Sequence, residues 1–237
     1  MFPVSNDDVI VNDVGGIILD TTSQLNHKLL IVSINQLSMS KLPTSVSIIK
    51  SGILLGGSGE IWGEDQSGSG CPNIADISVL GIPGDVDVKD IVLDGGDGAD
   101  IEYNQPMYPI PLLRDVVLNM PHDTMGPTVD VDDDYEGVIF ATPDADGNVD
   151  VQKLSGKGIL FVDGNLDANG GIGWEGMIIV NGEIRVNGGG GLTVDGAIAA
   201  LGDITLNGSV SIKYDCEKLA DLYNQYSRYT LKSWRQL

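Results

Sequence analysis

Alternating oxygen ligands occupy residues 144–150 of this chain. The oxygen-bearing side chains in that stretch are Asp144, Asp146, Asn148 and Asp150. Gly147 suits the sharp turn of a calcium-binding loop, and hard oxygen ligands on a flexible loop favour Ca²⁺ over Mg²⁺. The pattern resembles the first half of such a loop, although Ser155 stands where a bidentate Glu is expected. We therefore expect a calcium site here, with a solvated acidic loop as the alternative.

Two further turns also concentrate acidic residues. The first contains Asp94, Asp97, Asp100 and Glu102, and the second contains Asp130, Asp132, Asp133 and Asp134. Like charges this close repel one another unless cations bridge them. The 94–102 turn is our second candidate for calcium. As in the first loop, the alternative is an acidic surface that water solvates.

The two cysteines, Cys71 and Cys216, lie far apart in the sequence. Neither belongs to a C-x-x-C motif, so zinc-ribbon or thioredoxin-like chemistry is not indicated. They could form one disulfide, which an exported protein would keep. Closing so long a loop would stabilise the fold by about 4 to 5 kcal/mol. Two unpaired thiols are the alternative.

The carboxylates of Asp and Glu are the one abundant type of side chain in this sequence that could serve in catalysis. Glycan cleavage needs a pair of them, and Asp163, Asp195 and Asp203 could stack near one edge of a coiled structure, with Glu183 nearby. Their alternative role is to form corners, where Asp is favoured in any case. We expect no catalytic residues and no enzyme activity.

Other catalytic and nucleotide-binding motifs are not indicated. Residues 171–176 read GIGWEG and match G-x-G-x-x-G. The strand-like MIIVNGEI follows, however, where a helix would have to hold the phosphates. The two histidines, His27 and His122, provide little material for a catalytic triad or a metal site.

The charge of the chain limits its partners. Lys and Arg number 13 against 34 Asp and Glu, which gives a net charge of −21. Such a chain repels phosphate backbones and anionic membranes, so nucleic acid is not an expected partner. No apolar run approaches the roughly 18 residues of a membrane span. Membrane attachment is expected only through an anchor upstream of Met1, which this sequence does not contain.

Regular glycine spacing distinguishes residues 156–215. Glycines recur six residues apart, as in Gly164 and Gly170, Gly182 and Gly188, Gly196 and Gly202, and Gly202 and Gly208. Short alternating strands separate them, and stacked coils can bury the apolar faces of such strands in a shared interior. We predict a short parallel β-solenoid. An antiparallel meander with V-D-G and V-N-G hairpin turns is the alternative.

The flanking regions predict a mainly β protein around this solenoid. Residues 1–155 read as an irregular β-rich region with one short helix at about 111–120, where Pro111 suits the first turn. From Asp215, a suitable N-cap, apolar residues recur on one helical stripe. We therefore predict that residues 216–237 form an amphipathic helix that caps the open end of the solenoid. Together these regions would form one elongated fold unit.

Two tracts of the sequence carry a family resemblance. Residues 162–215, which begin VDGNLDANGG and end SVSIKYD, resemble the C-terminal region of PilX-type pilus-assembly proteins of bacteria, whose glycine-rich repeats close with S-I-x-Y-D. The earlier IWGEDQSGSGCPNIADISVLGIP is similar to the segment that those proteins place ahead of the repeats. Bactofilins, which polymerise through a small β-helix, share much of the same pattern.

The resemblance implies a surface-exposed component of a type IV pilus or a related secretion pseudopilus. We therefore expect a non-catalytic structural or adhesive protein at the cell surface or outside the cell. Its partners would be other filament subunits or further copies of itself. Two alternatives stay open: a carbohydrate-active β-helix enzyme or carbohydrate-binding module, and a self-polymerising scaffold like the bactofilins.

Overall fold

The computed structural model describes residues 9–12, 16–23, 26–35, 46–48, 53–71, 73–79, 86–93, 100–103, 110–187, 190–226 and 228–236. The chain divides into two compact units, one of Met1–Ser38 with Tyr223–Leu237 and the other of Met39–Leu222. No described helix is both long enough and apolar enough to span a membrane.

The elements are named in chain order. They are β1 (Val9–Asn12), β2 (Gly16–Ser23), β3 (Asn26–Asn35), β4 (Val46–Ile48), β5 (Ile53–Trp62), β6 (Ile77–Val79), β7 (Val86–Leu93), β8 (Ile101–Glu102), α1 (Ile110–Leu118), β9 (Asp123–Met125), β10 (Thr128–Ala141), β11 (Asn148–Val162), β12 (Asn165–Val180), β13 (Ile184–Val186), β14 (Leu192–Ala200), β15 (Ile204–Leu206), β16 (Ser209–Lys213), α2 (Cys216–Tyr226) and β17 (Arg228–Gln236).

The smaller unit is an antiparallel sheet in the order β1-β2-β3-β17. Its last strand corrects our prediction of one helix over residues 216–237. The helix begins at Cys216 as expected but ends at Tyr226, and Arg228–Gln236 is a strand. The RYTLKSWRQ segment is rich in the aromatic and β-branched residues that favour strands, and pairing with β3 satisfies its backbone groups.

The larger unit is a parallel β-solenoid. All of its described strand pairings are parallel, which excludes the antiparallel meander. Each coil contributes a strand segment to each of three stacks, called here the first, second and third faces. The first face contains residues 128–129, 149–151, 166–168, 184–186, 204–206, 53–55 and 86–88. The second contains residues 130–137, 153–158, 172–176, 192–196, 209–213, 58–62 and 90–93. The third contains residues 123–125, 139–141, 160–162, 178–180, 198–200, 46–48, 77–79 and 101–102.

The order of the coils along the solenoid differs from their order in the chain. From β9 to β16 the coils follow the sequence, but the next coil is built from β4 and β5. Strands β6, β7 and β8 then complete that end of the stack. Neighbouring strands lie about 4.8 Å apart, so the chain between β8 and β9 returns over roughly 34 Å, the length of the third face.

The solenoid is therefore larger than the predicted range of residues 156–215. It also includes β9, β10 and the start of β11, together with strands of residues 46–102. These segments lack the six-residue glycine spacing, because their corners are formed by longer loops such as residues 63–76. The short helix predicted at about 111–120 is present as α1.

Apolar side chains fill the interior. Leu166, Ile172 and Trp174 of β12 are at most 4% exposed, and equivalent residues of the neighbouring coils join them in one cluster. Burial of each such side chain contributes about 1.5 to 3 kcal/mol. Stacking of the coils, and not any single strand, thus provides the core.

Four adjacent strands of the third face, at residues 139–141, 160–162, 178–180 and 198–200, are buried on both sides. Leu160 and Val162 join the interior cluster, while Phe161 between them is 0% exposed on the outer side. Helix α1 covers part of this outer side, where the Arg114 guanidinium lies 5.8 Å from the centroid of the Phe140 ring. Helix α2, which the Asp215 carboxylate caps, packs against the side of the solenoid and not its end. Double burial explains why these strands are continuous apolar runs.

A ladder of glycines forms the corner between the second and third faces. Its members in register are Gly137, Gly158, Gly176 and Gly196. A Cβ atom at Gly158 would lie 1.8 Å from the carbonyl oxygen of Gly137, and the φ of Gly158 is 135°. Only glycine adopts this backbone without strain, so the ladder sets how sharply the coil turns.

Candidate functional site

A charged ladder precedes the glycine ladder on the outer surface. Its members in register are Glu136, Lys157, Glu175, Asp195 and Lys213. The Nζ atom of Lys157 lies 3.0 Å from Glu136, and that of Lys213 lies 2.9 Å from Glu60. These groups are partly exposed, so each pair contributes at most about 1 kcal/mol. Unlike charges are neighbours at Glu136 and Lys157, Lys157 and Glu175, and Asp195 and Lys213, whereas Glu175 and Asp195 are neighbours of like charge.

Lys218 of α2 joins this ladder from outside the coils. Its Nζ atom lies 3.1 Å from Asp195 and 3.5 Å from Glu175. Burial by itself would lower the pKa of Lys218, but the carboxylates of Asp195, Glu175 and Asp215 outweigh burial and raise the pKa. The lysine is therefore cationic and fastens α2 to two successive coils.

A groove of about 570 Å³ lies beside the charged ladder. Gly156 and Gly173 add no side chains to its lining, while Ser155 and Thr193 add hydroxyl groups. Its carboxylates are those of Asp133, Asp134, Glu136, Glu175 and Asp195. Since Lys157 is the single basic residue that lines the groove in the described chain, the groove disfavours anionic ligands.

The four carboxylates considered for glycan cleavage do not meet in one site. Asp163, Glu183 and Asp203 lie at the corner between the third and first faces, whereas Asp195 lies at the corner between the second and third. Asp163 accepts hydrogen bonds from Arg114 Nε at 2.8 Å and from Asn181 Nδ2 at 3.0 Å. These bonds connect α1 and the next coil to the corner.

The 144–150 loop forms a tight turn before β11. The Asp144 carboxylate accepts hydrogen bonds from the backbone N–H groups of Asp146 and Asn148, each at 2.9 Å. The Asn148 side chain accepts from Asn165 at 3.1 Å, and Asp150 accepts from Asn169 at 3.1 Å. The structure thus uses three of the four predicted ligands for the turn and for contacts with the next coil. Calcium binding at this loop stays a prediction.

The other two acidic turns differ from each other. Asp94 and Asp97 lie outside the described residues, while Asp100 is exposed and Glu102 is half-buried at the end of β8. The third turn is part of β10, where Lys153 Nζ lies 2.8 Å from Asp132 and 3.5 Å from Asp133. The hydrogen bond from Ser155 and the charge of Lys153 hold the pKa of Asp133 below its ordinary value. The sequence predicts a turn here, but these residues belong to β10, where residues 132–134 form an irregularity in its pairing with β11.

A disulfide joins Cys71 and Cys216, with Cα atoms 6.4 Å apart. Cys71 belongs to the loop after β5, and Cys216 is the first residue of α2, just after β16. The two parts of the chain meet at three strand pairs, β4–β14, β5–β15 and β5–β16, and the disulfide lies just beyond the ends of β5 and β16. The bond therefore links the coils of residues 46–102 to the coils of residues 123–213.

Asp65 organises the loop around the disulfide. Its carboxylate accepts hydrogen bonds from the Ser67 hydroxyl at 2.7 Å and from the backbone N–H of Cys216 at 3.2 Å. Burial raises the pKa of Asp65, but these bonds and the backbone N–H groups of Ser67 and Cys71 outweigh burial and lower it. Sequence reasoning assigned no role to Asp65. The D-x-S-x-S spacing before Cys71 is the signal that indicates a side-chain-capped turn.

In the described residues, the remaining motifs do not come together to form a catalytic or binding site. The 171–176 glycine motif lies within β12 and precedes no helix. His122 Nδ1 lies 2.8 Å from the carbonyl oxygen of Met120, and its ring lies 5.9 Å from that of Phe140. The side chain of His27 is outside the described part.

No protein-family model, curated protein or solved structure matches this chain.

Proposed function

We propose that this protein is a non-catalytic structural subunit of a cell-surface filament of the type IV pilus class. The observation that carries the proposal is the disulfide-linked junction between β5 and β16. Disulfides of this kind persist in oxidising compartments outside the cytosol. A solenoid whose distant segments are cross-linked resists unfolding, which suits a protein exposed at a surface.

The polar groups of the coils support a structural role. Asp163 connects two elements to one corner, and Asp195 holds α2 through Lys218. Two of the four carboxylates considered for glycan cleavage, Asp163 and Asp195, thus hold coils and helices together. Partners of this subunit would be other filament subunits.

The groove beside the charged ladder favours a second candidate, a carbohydrate-binding module. Carboxylates and the hydroxyls of Ser155 and Thr193 accept hydrogen bonds from neutral sugars, and the negative charge rejects uronates and phosphates. Binding of neutral oligosaccharides to purified protein, measured by calorimetry, would support this candidate. Release of reducing ends that Asp195→Asn abolishes would instead indicate an enzyme.

Self-polymerisation by stacking of coils is disfavoured by charge. Strand β10 near one end presents exposed Asp130, Asp132 and Asp134, and strand β7 near the other presents exposed Asp87 and Asp90. End-to-end stacking would bring these rows together, and charged edges of this kind oppose strand addition. Filaments formed by purified protein alone at physiological salt would overturn this inference.

The test of the proposed function is fractionation of the producing cell. Filaments sheared from the surface should contain the chain with both cysteines resistant to alkylation until a reductant is added. The Cys71→Ser/Cys216→Ser variant should reach the filament at a lower level, because its junction opens more readily. A chain that remains in the cytosol with two alkylatable thiols would refute the proposal.

A further inference from the structure

A cluster of three metal-ligating groups surrounds the bond between Cys71 and Cys216. Both Sγ atoms and a carboxylate oxygen of Asp65 lie within 4.8 Å of one another. In the described part of the chain no other set of three His, Cys, Asp or Glu ligand atoms is this close. Cys216 is 2% exposed, whereas Asp65 and Cys71 are half-buried, so a metal ion could reach the cluster from solvent.

Reduction converts this cluster into a set of free ligands. A dithiol that cleaves the bond supplies two electrons and two protons, becomes a disulfide itself, and leaves one thiol on each cysteine. When the two thiols ligate a divalent cation, their protons pass to solvent. Two thiolates and the Asp65 carboxylate then face the ion. Thiolates select Zn²⁺ over Ca²⁺ and Mg²⁺, which prefer oxygen ligands.

The geometry of the junction is compatible with a zinc ion. Zn–S bonds of about 2.3 Å in a tetrahedral site place the two sulfurs about 3.8 Å apart. The Cα separation of 6.4 Å allows this through side-chain rotation. The hydroxyl of Ser69 lies 3.1 Å from the Cys216 sulfur and 3.4 Å from that of Cys71. This hydroxyl or a water molecule can occupy the fourth position.

Backbone hydrogen bonds hold the ligands in place without the disulfide. The Tyr214 N–H donates to the Trp62 carbonyl at 2.9 Å, and the Gln66 N–H donates to the Tyr214 carbonyl at 2.9 Å. The Cys216 N–H donates to Asp65 itself. These bonds, just beyond the ends of β5 and β16, hold Asp65 and Cys216 together, and the backbone N–H of Cys71 also donates to Asp65. The three ligands therefore stay near one another after reduction.

We propose that the reduced protein binds one Zn²⁺ through Cys71, Cys216 and Asp65, so that the ion and the disulfide are alternative links across the same junction. This site goes beyond the proposed structural role and does not depend on it.

The test compares the oxidised and reduced forms of the full chain. Protein is reduced with a phosphine, freed of reductant without oxygen, and titrated with Zn²⁺ against a chromophoric chelator. The reduced form should bind one ion roughly a hundredfold more tightly than the oxidised form. Co²⁺ in place of Zn²⁺ should give the charge-transfer absorption of cobalt thiolates. Asp65→Asn should weaken zinc binding roughly tenfold or more, whereas Glu64→Gln, an exposed neighbour, should not.

Each outcome bears on the proposal. Equal zinc affinity of the two forms would overturn it, and an unchanged affinity in Asp65→Asn would overturn the three-ligand site. If reduction alone abolishes the β-sheet circular dichroism signal, zinc should restore the signal in wild type but not in Cys71→Ser. Failure to restore it would equally overturn the proposal.

Discussion

The rings of Tyr135 and Trp174 stack with centroids 6.1 Å apart, although one coil of the solenoid lies between their strands. The residue in register between them is Gly156, which has no side chain to separate the rings. The indole Nε1–H also donates to the Gly158 carbonyl at 3.2 Å. The two aromatic rings thus occupy core volume that the intervening coil leaves open.

Truncation of the Trp174 side chain should clearly destabilise the fold. We expect Trp174→Ala to lower the free energy of unfolding by about 3 to 5 kcal/mol, because it creates a cavity next to a coil that already lacks a side chain. Trp174→Phe keeps much of the ring volume and should cost clearly less than the alanine variant. Urea unfolding followed by circular dichroism measures both. An alanine variant as stable as wild type would contradict the packing described.

The glycine ladder predicts that substitution by Ala will destabilise the protein much more at Gly158 than at Gly126. Gly158→Ala forces a Cβ atom against the Gly137 backbone at a φ of 135°, and should destabilise by about 2 kcal/mol or more. Gly126→Ala is the matched control, since nothing lies within 4 Å of its added Cβ. Its stability should stay within about 0.5 kcal/mol of wild type. Thermal unfolding of the two variants compares them directly, and equal effects would argue against the close stacking of coils.

Reduction of the disulfide should destabilise the strands next to the junction of β5 and β16 more than the strands further from the bond. The bond closes a loop with a sequence separation of 145 residues, for which chain entropy gives about 5 kcal/mol. Hydrogen exchange should accelerate in β5 and β7 more than in β11 and β12, which lie further from the bond. Mass spectrometry of peptides before and after reduction makes the comparison. Uniform acceleration along the chain would show that the bond stabilises the whole solenoid and not the junction.

Glu60 should make stability depend on pH in the acid range. The hydrogen bond from Lys213 lowers the pKa of Glu60, burial opposes this, and the Ser211 hydroxyl lowers the pKa further. A carboxylate with a lowered folded pKa stabilises the protein above its ordinary pKa, and this contribution is lost as pH falls through the folded value. The effect is small, about 0.5 kcal/mol, because both partners are about one-third exposed.

The measurement is the difference in unfolding free energy between pH 7 and pH 3. Glu60→Gln should reduce this difference relative to wild type, whereas Asp221→Asn, at an exposed position on α2, should not. The same pH dependence in Glu60→Gln and wild type would show that the contact with Lys213 carries no net stability.

Two substitutions in the 144–150 loop distinguish the structural role of its hydrogen bonds from calcium binding. Asp144→Ala removes the acceptor of two backbone hydrogen bonds and should destabilise by about 1 kcal/mol whether or not calcium is present. Asp146→Ala spares those bonds. If the loop binds calcium, the melting temperature of wild type rises between about 10⁻⁴ and 10⁻³ M calcium, and Asp146→Ala blunts the rise. A wild-type melting temperature indifferent to calcium and chelator would remove the calcium site.

The local patterns of the sequence were sufficient for part of the fold. Six-residue glycine spacing identified the solenoid, because corners and short strands are local features. The pairing of Ser58 with Ser209 could not be predicted, since it depends on which distant strand covers the end of the stack. The strand at Arg228–Gln236 was missed because Tyr229, Trp234 and Leu237 fit a helical stripe as well as a strand.

The site was less predictable than the fold. Pairing of the cysteines was one of two expectations, but the position of the bond between sequence-distant coils was not foreseen. Asp163 and Asp195 were expected at one edge, yet they occupy different corners. Residue type alone does not specify the corner, because Asp and Asn favour every turn of the coil.

The difference between coil order and chain order has a consequence for biosynthesis. Glu60 and its partner Ser211 are 151 residues apart, so β5 leaves the ribosome long before the strand that it covers. At translation rates of about 5 to 20 residues per second, this interval lasts roughly 8 to 30 seconds. During that time the strands of residues 46–102 can pair with one another, but the coil of β14 to β16 on which they stack has not been made. The coils of residues 123–213 are consecutive in sequence and can assemble as they emerge. Maturation thus ends with the earliest-made part of the solenoid docking onto the latest.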